Sequence, residues 1–138
     1  MIVALTFVII VPTTYLFFQY SRESVQEIVD AQVTKIGTSI IDSAETIFYS
    51  GEGSRTILQL NVPEGVTQAS IMDGKELVFN VTSSFGESEI IFFSRVNLTT
   101  LGANCVSNVC KIPDLAQEGV KSLKIESINK NSVSITTV

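Results

Sequence analysis

The first twenty-one residues, MIVALTFVIIVPTTYLFFQYS, contain no charged side chain, and Arg22 ends the run abruptly. As a helix at about 1.5 Å per residue this stretch spans roughly 31 Å, the hydrocarbon thickness of a bilayer. Ile, Val, Leu and Phe dominate it, with Tyr15 and Tyr20 toward the end where aromatic rings favour the headgroup boundary. A cleavable secretory signal needs a basic start, a shorter apolar centre and a small-residue cleavage site, and none of these precedes Arg22. That makes a signal the least favoured of three readings, and two others compete. One is a permanent single-span anchor. The other is a helix that lodges in the membrane first and later packs against copies of itself.

Pro12 interrupts the apolar run. Its missing N–H removes the bond to the Val8 carbonyl, so a kink or local unwinding is expected over residues 8–13, with the hydroxyls of Thr13 and Thr14 available to the freed groups. Beyond Arg22, Val25, Ile28, Val29, Val33, Ile36, Ile40, Ala44, Ile47 and Phe48 recur mostly every three or four residues, the stripe of an amphipathic helix. Arg22, Glu23, Glu27, Asp30, Lys35, Asp42 and Glu45 belong to its wet face. Gly51 and Gly53 mark its end. A single helix over residues 1–50 is about 75 Å long, and its first half should project from the rest.

After residue 54 the period changes to two. Thr56, Leu58, Leu60 and Val62 alternate with Ile57, Gln59 and Asn61. VTQASIM and KELVFNVT flank Asp73 and Gly74, a pair suited to the positive backbone angles of a tight hairpin. SEIIFFSRVNLT reads as a further strand, and LKIESI and SVSITTV flank Asn129, Lys130 and Asn131 as a closing hairpin. The pattern predicts an α+β chain: a long hydrophobic then amphipathic helix over residues 1–50, followed by six or seven strands over residues 51–138 forming a small antiparallel β-sandwich or a curved sheet.

Cys105 and Cys110, in LGANCVSNVCKIPD, match no four-ligand zinc spacing, and no His exists in the chain. The pair reads as a short disulfide bracing a polar loop, with two free thiols as the alternative. A disulfide implies an oxidising compartment. Sequons at Asn80 and Asn97 point the same way, both asparagines falling on polar strand faces, Asn97 with Glu89 and Arg95.

Catalysis is not expected. Without histidine there is no Ser/His or Cys/His arrangement, and no imidazole to act as acid or base near neutral pH. Glu87 and Glu89 share a strand face but read as solvation. Asp114 and Glu118 could share a helical turn, yet no calcium loop surrounds them. An enzyme would instead require a pocket with strongly perturbed carboxylates. A net charge of −5 without a basic patch makes nucleic acid an unsuitable partner, and no cofactor or metal motif is present.

The order of elements resembles the type IV pilin superfamily, in particular archaeal pilins and archaellum subunits. The uncharged MIVALTFVIIVPTTYLFFQYS, its continuation SRESVQEIVDAQVTKIGTSIIDSAETIFYS, and the small β region carry the likeness. The resemblance implies a helix that resides in the membrane before assembly, is extruded by a pilus assembly machinery, and bundles with copies of itself in the core of an extracellular filament. The β region, immunoglobulin-like or pilin-type, would coat the outside and bear N-linked glycans. Ile2, Leu5, Val8, Ile9, Pro12, Leu16 and Phe17 are then the candidate core-packing residues. Members of that family carry a short basic leader and a processing site before the apolar stretch, often with a glutamate near the mature N-terminus. This sequence contains neither, so no cleavage position is placed on it. The expected function is a filament subunit in adhesion or surface attachment; the alternative is a monomeric, membrane-anchored ectodomain that binds a ligand or partner.

Overall fold

The computed structural model describes the chain except residues 84, 85 and 101–104 and the side chains of residues 22–26. It is an α+β arrangement: one helix, α1 (Ile2–Ser50), then two β-sheets. Helix α1 ends at Gly51, whose φ of 106° is open to glycine but strained for other residues, and whose N–H donates back to the Phe48 carbonyl.

The first sheet has the order β1 (Arg55–Val62), β8 (Gly119–Asn129), β9 (Ser132–Thr137), β5 (Asn97–Thr99). The second runs β4 (Gly86–Phe93), β3 (Glu76–Ser83), β2 (Val66–Met72), β7 (Val109–Lys111), β6 (Cys105–Val106). Nine strands therefore stand among the described residues, where the sequence pattern suggests six or seven. All pairings are antiparallel except β5 with β9, which is parallel.

The period-2 faces follow the sequence. Leu58, Leu60 and Val62 of β1 line up with Leu123, Lys121 and Gly119 of β8, and Leu77, Phe79 and Val81 point into the core. The Asp73–Gly74 turn has φ of 52° and 70°, as the hairpin requires. Its flanking strands pair Met72 with Glu76.

One expected strand is divided. SEIIFFSRVNLT supplies both β4, at the edge of the second sheet, and β5, at the edge of the first. The chain changes sheet at Ser94, whose buried hydroxyl donates to the Val96 carbonyl at 2.9 Å and accepts from the Val96 N–H at 3.2 Å. This local turn replaces ladder bonds that a continuous strand would make. Asn97 accordingly does not share a face with Glu89: they lie in different sheets. Asp114 and Glu118 do not share a helical turn either, because the 3-10 turn covers only Pro113–Ala116 and Gln117 is already extended.

The two sheets and the second half of α1 enclose one apolar core. Val33, Ile36, Ile40, Ile41 and Ala44 are buried with Leu60, Ile71, Leu77, Phe79, Leu115, Leu123, Ile125 and Ile135. Helix α1 contacts β1, β8 and β9 of one sheet and β3 and β4 of the other, so it lies against the edge strands β1 and β4. Of the amphipathic stripe, Val29, Ile47 and Phe48 are partly buried and Ile28 is exposed, while Val25 falls outside the described side chains. Gly37 was not part of that stripe, yet it is where the Phe92 ring reaches the helix.

Candidate functional site

Residues 2–21 of α1 stand outside the core of the β region. The helix is long and apolar enough over Ile2–Ser21 to cross a membrane, and none of that segment is buried. Its large apolar side chains are 59–81% exposed on every side of the rod, including Ile2, Leu5, Val8, Ile9, Leu16 and Phe17. A helix apolar around its whole circumference requires an apolar surrounding, either lipid or several neighbouring helices. A single partner docked along one side would leave the opposite side in water.

Pro12 lies inside the helix, and the helical assignment continues through it without the local unwinding expected over residues 8–13. Loss of one ladder bond is absorbed because the surrounding turns keep theirs. The hydroxyls do not take the position anticipated for them: Thr13 Oγ1 donates to the Ile9 carbonyl at 2.6 Å and Thr14 Oγ1 to that of Ile10 at 2.8 Å, so neither serves Val8. Thr6 similarly donates to Val3. These three hydroxyls are satisfied within their own helix, which lowers the cost of placing them in an apolar surrounding. A notch of about 460 Å³ along the rod is lined by Ile10, Val11, Thr14, Tyr15 and Phe18. All five come from one helix, so it is the gap between its own side chains and not an enclosed ligand site.

The remaining candidate residues are placed as follows. Cys105 and Cys110 are joined by a disulfide, S–S 2.03 Å, directly across the β6–β7 hairpin. The segment is therefore part of the second sheet and not a free loop; Ser107 and Asn108, with φ of 51° and 67°, form its turn. Asn108 accepts from the Asp73 N–H at 2.9 Å, tying this tip to the β2–β3 turn. Asn80 is half-buried on the outer face of the second sheet, level with Glu89. Asn97 is exposed on the outer face of the first, level with Ser132. The sequons thus project from opposite sides.

No family model matches the chain, and no curated protein or solved structure matches it. Its chemistry is consequently read from its own residues. Among the described residues no group of three or more His, Cys, Asp or Glu side chains could hold a metal ion. Glu87 and Glu89 are exposed on the outer face of β4. Asp114 accepts a hydrogen bond from the Thr137 hydroxyl, which fastens the 3-10 turn to the last strand. The Glu126 carboxyl is held below its ordinary range by the hydrogen bond and charge of Lys124, 2.8 Å away, with a smaller contribution from Arg55. Both partners of that pair are solvent-accessible, and their interaction accounts for the shift without any catalytic site.

Proposed function

We propose that this protein is a structural subunit of an extracellular, type IV pilus-like filament, held in the membrane before assembly and polymerised through residues 2–21. The carrying observation is the relationship between the two halves of α1. One half is exposed and apolar on all sides, and the same helix continues into the core of the β region. A simple anchor needs no such rigid continuity, because any flexible linker would tether the domain equally well. A filament does need it, since the position of each outer domain must follow from the position of its helix.

The energetics favour the same reading. Once the rod leaves lipid, each buried Ile, Leu, Val or Phe side chain contributes about 1.5–3 kcal/mol. Ile2, Leu5, Val8, Ile9, Leu16 and Phe17, with Pro12 among them, supply that surface in every copy. In this reading the β region, an immunoglobulin-like or pilin-type sandwich, forms the exterior, with N-linked glycans on Asn80 and Asn97. The disulfide accords with an oxidising compartment outside the cytoplasm. Pilus assembly machinery would extract the helix from the membrane, and adhesion or surface attachment is the broader role; no enzymatic activity or nucleic-acid partner enters it.

A monomeric anchored ectodomain is the second reading, favoured by the fit of Ile2–Ser21 to one bilayer crossing. Electron microscopy of material sheared from cells, with the subunit identified by mass spectrometry, separates the two. Filaments containing this chain are expected. Its recovery solely as a detergent-soluble monomer in the membrane fraction would overturn the proposal.

A further inference from the structure

Pro12 leaves one acceptor of α1 without its ladder donor. The ring nitrogen carries no hydrogen, so the Val8 carbonyl lacks the bond that position 12 supplies in a regular helix, although the helix runs through. The nearby hydroxyls do not replace it: Thr6, Thr13 and Thr14 donate to the carbonyls of Val3, Ile9 and Ile10. Beyond the proline, the Tyr15 hydroxyl forms no hydrogen bond among the described residues, and the residue is 69% exposed. The exposed apolar segment thus carries one spare acceptor and one spare donor.

We infer that, in the assembled filament, the Tyr15 hydroxyl of one copy donates a hydrogen bond to the Val8 carbonyl of another. Position narrows the source of the donor. Val8 lies about 9 Å inside the start of the span at Ile2 and about 20 Å from its end at Ser21. Lipid tails hold no donor, and water does not reach such a depth. Gln19, Tyr20 and Ser21 stand in the last turn beside Arg22, at the polar boundary. A chain cannot join its own pair, because seven residues separate Val8 from Tyr15, about 10.5 Å along the axis. A parallel copy displaced along the rod brings the two groups level, and the lean of a helical side chain toward the N-terminus shortens the displacement needed. Hydrogen bonds of this kind join helices in apolar surroundings. Each copy accepts at Val8 from one neighbour and donates from Tyr15 to a different one. That relation is head-to-tail and does not close on itself, as a filament requires. The inference rests on the filament reading, which supplies the parallel neighbours.

The test uses the full-length chain, isotope-labelled at valine carbonyls and isoleucine nitrogens. A valine followed by an isoleucine occurs once in the sequence, at Val8 and Ile9, so solid-state NMR filtered through that bond reads the Val8 carbonyl alone. In sheared filaments Tyr15→Phe should move this resonance upfield, the direction expected for loss of an accepted hydrogen bond, whereas detergent-dispersed monomers should show no such shift. Filaments of Tyr15→Phe should shed subunits into detergent severalfold faster than the native chain. So should those of Pro12→Ala, which restores the ladder donor and leaves Tyr15 without its acceptor. The double variant leaves neither group unpaired and should recover most of the loss. A folding defect does not recover in this way, and Pro12→Ala by itself strengthens the helix. A Val8 resonance indifferent to Tyr15→Phe in filaments, an equal shift in monomers, or additive losses in the double variant would overturn the inference and leave the filament reading standing. The shift seen in membranes that never yield filaments would overturn the filament alone. Neither filaments nor a shift would overturn both.

Discussion

The Phe92 ring lies so close against Gly37 that a Cβ on the glycine would overlap it. Gly37 occupies the buried face of α1, four residues from both Val33 and Ile41, and Phe92 comes from the edge strand β4. Phe92 also meets Phe79 edge-on, with ring centroids 6.0 Å apart at 84°. The absence of one side chain therefore sets how the helix and the second sheet approach each other.

Gly37→Ala tests that relationship against helix propensity. In an exposed helix interior the change stabilises by about 1 kcal/mol. Here overpacking costs about 1–3 kcal/mol and should win, giving a net loss. Chemical denaturation of the full chain in detergent measures it. Combining Gly37→Ala with Phe92→Leu should recover part of the loss, and a more stable Gly37→Ala variant would refute the contact.

The Lys124–Glu126 pair yields a pH prediction. Because Glu126 is depressed in the folded protein, its contribution to stability is present above the unfolded carboxyl value and fades as pH falls through the lower folded value. Lys124→Met should move the Glu126 titration upward, toward the ordinary glutamate range. Carboxyl-resolved NMR titration reads this directly; an unchanged midpoint would remove Lys124 as the cause. The pair is solvent-screened, so the effect on global stability is expected to be small.

Replacing both Cys105 and Cys110 with Ser should leave the fold intact and lower its stability by at most about 2 kcal/mol, the loop-entropy value for so short a closure. Intact-mass measurement before and after reduction should reveal a gain of about two hydrogens in the native chain. No gain would return the pair to free thiols.

In the proposed filament, Leu5→Asp or Ile9→Asp should abolish assembly and leave the β region folded. Each places a charge on the apolar rod, at a cost of about 2.5–3.5 kcal/mol on insertion scales near the centre of a membrane helix and more where the proposed packing seals the charge between helices. Normal filaments from either variant, seen by electron microscopy, would contradict the assignment of these residues to the packed core.

Much of this architecture was legible in the chain. The alternation of Leu77, Phe79 and Val81 gives the face of β3, and Asp73–Gly74 gives its turn, because both are local effects of the pleat and of backbone angle. The division between Phe93 and Asn97 was not legible, since the apolar pattern continues across it and the change of sheet depends on one buried serine hydroxyl. Strands of two or three residues, as at Cys105–Val106 and Val109–Lys111, are too short to display a period. Gly37 escapes a hydrophobic stripe because it has no side chain to count, although its spacing from Val33 and Ile41 was available. The tail was visible from composition. What composition lacked was its relation to the core.

The unbroken course of α1 also has a mechanical consequence. No linker separates the exposed segment from the half that helps to form the core. A pull between the exposed segment and the β region is transmitted along the helix axis and opposed by the packing of Val33, Ile36, Ile40 and Ala44 in shear, many contacts resisting together. Such a junction responds to load by holding its length until it ruptures, where a tether would stretch.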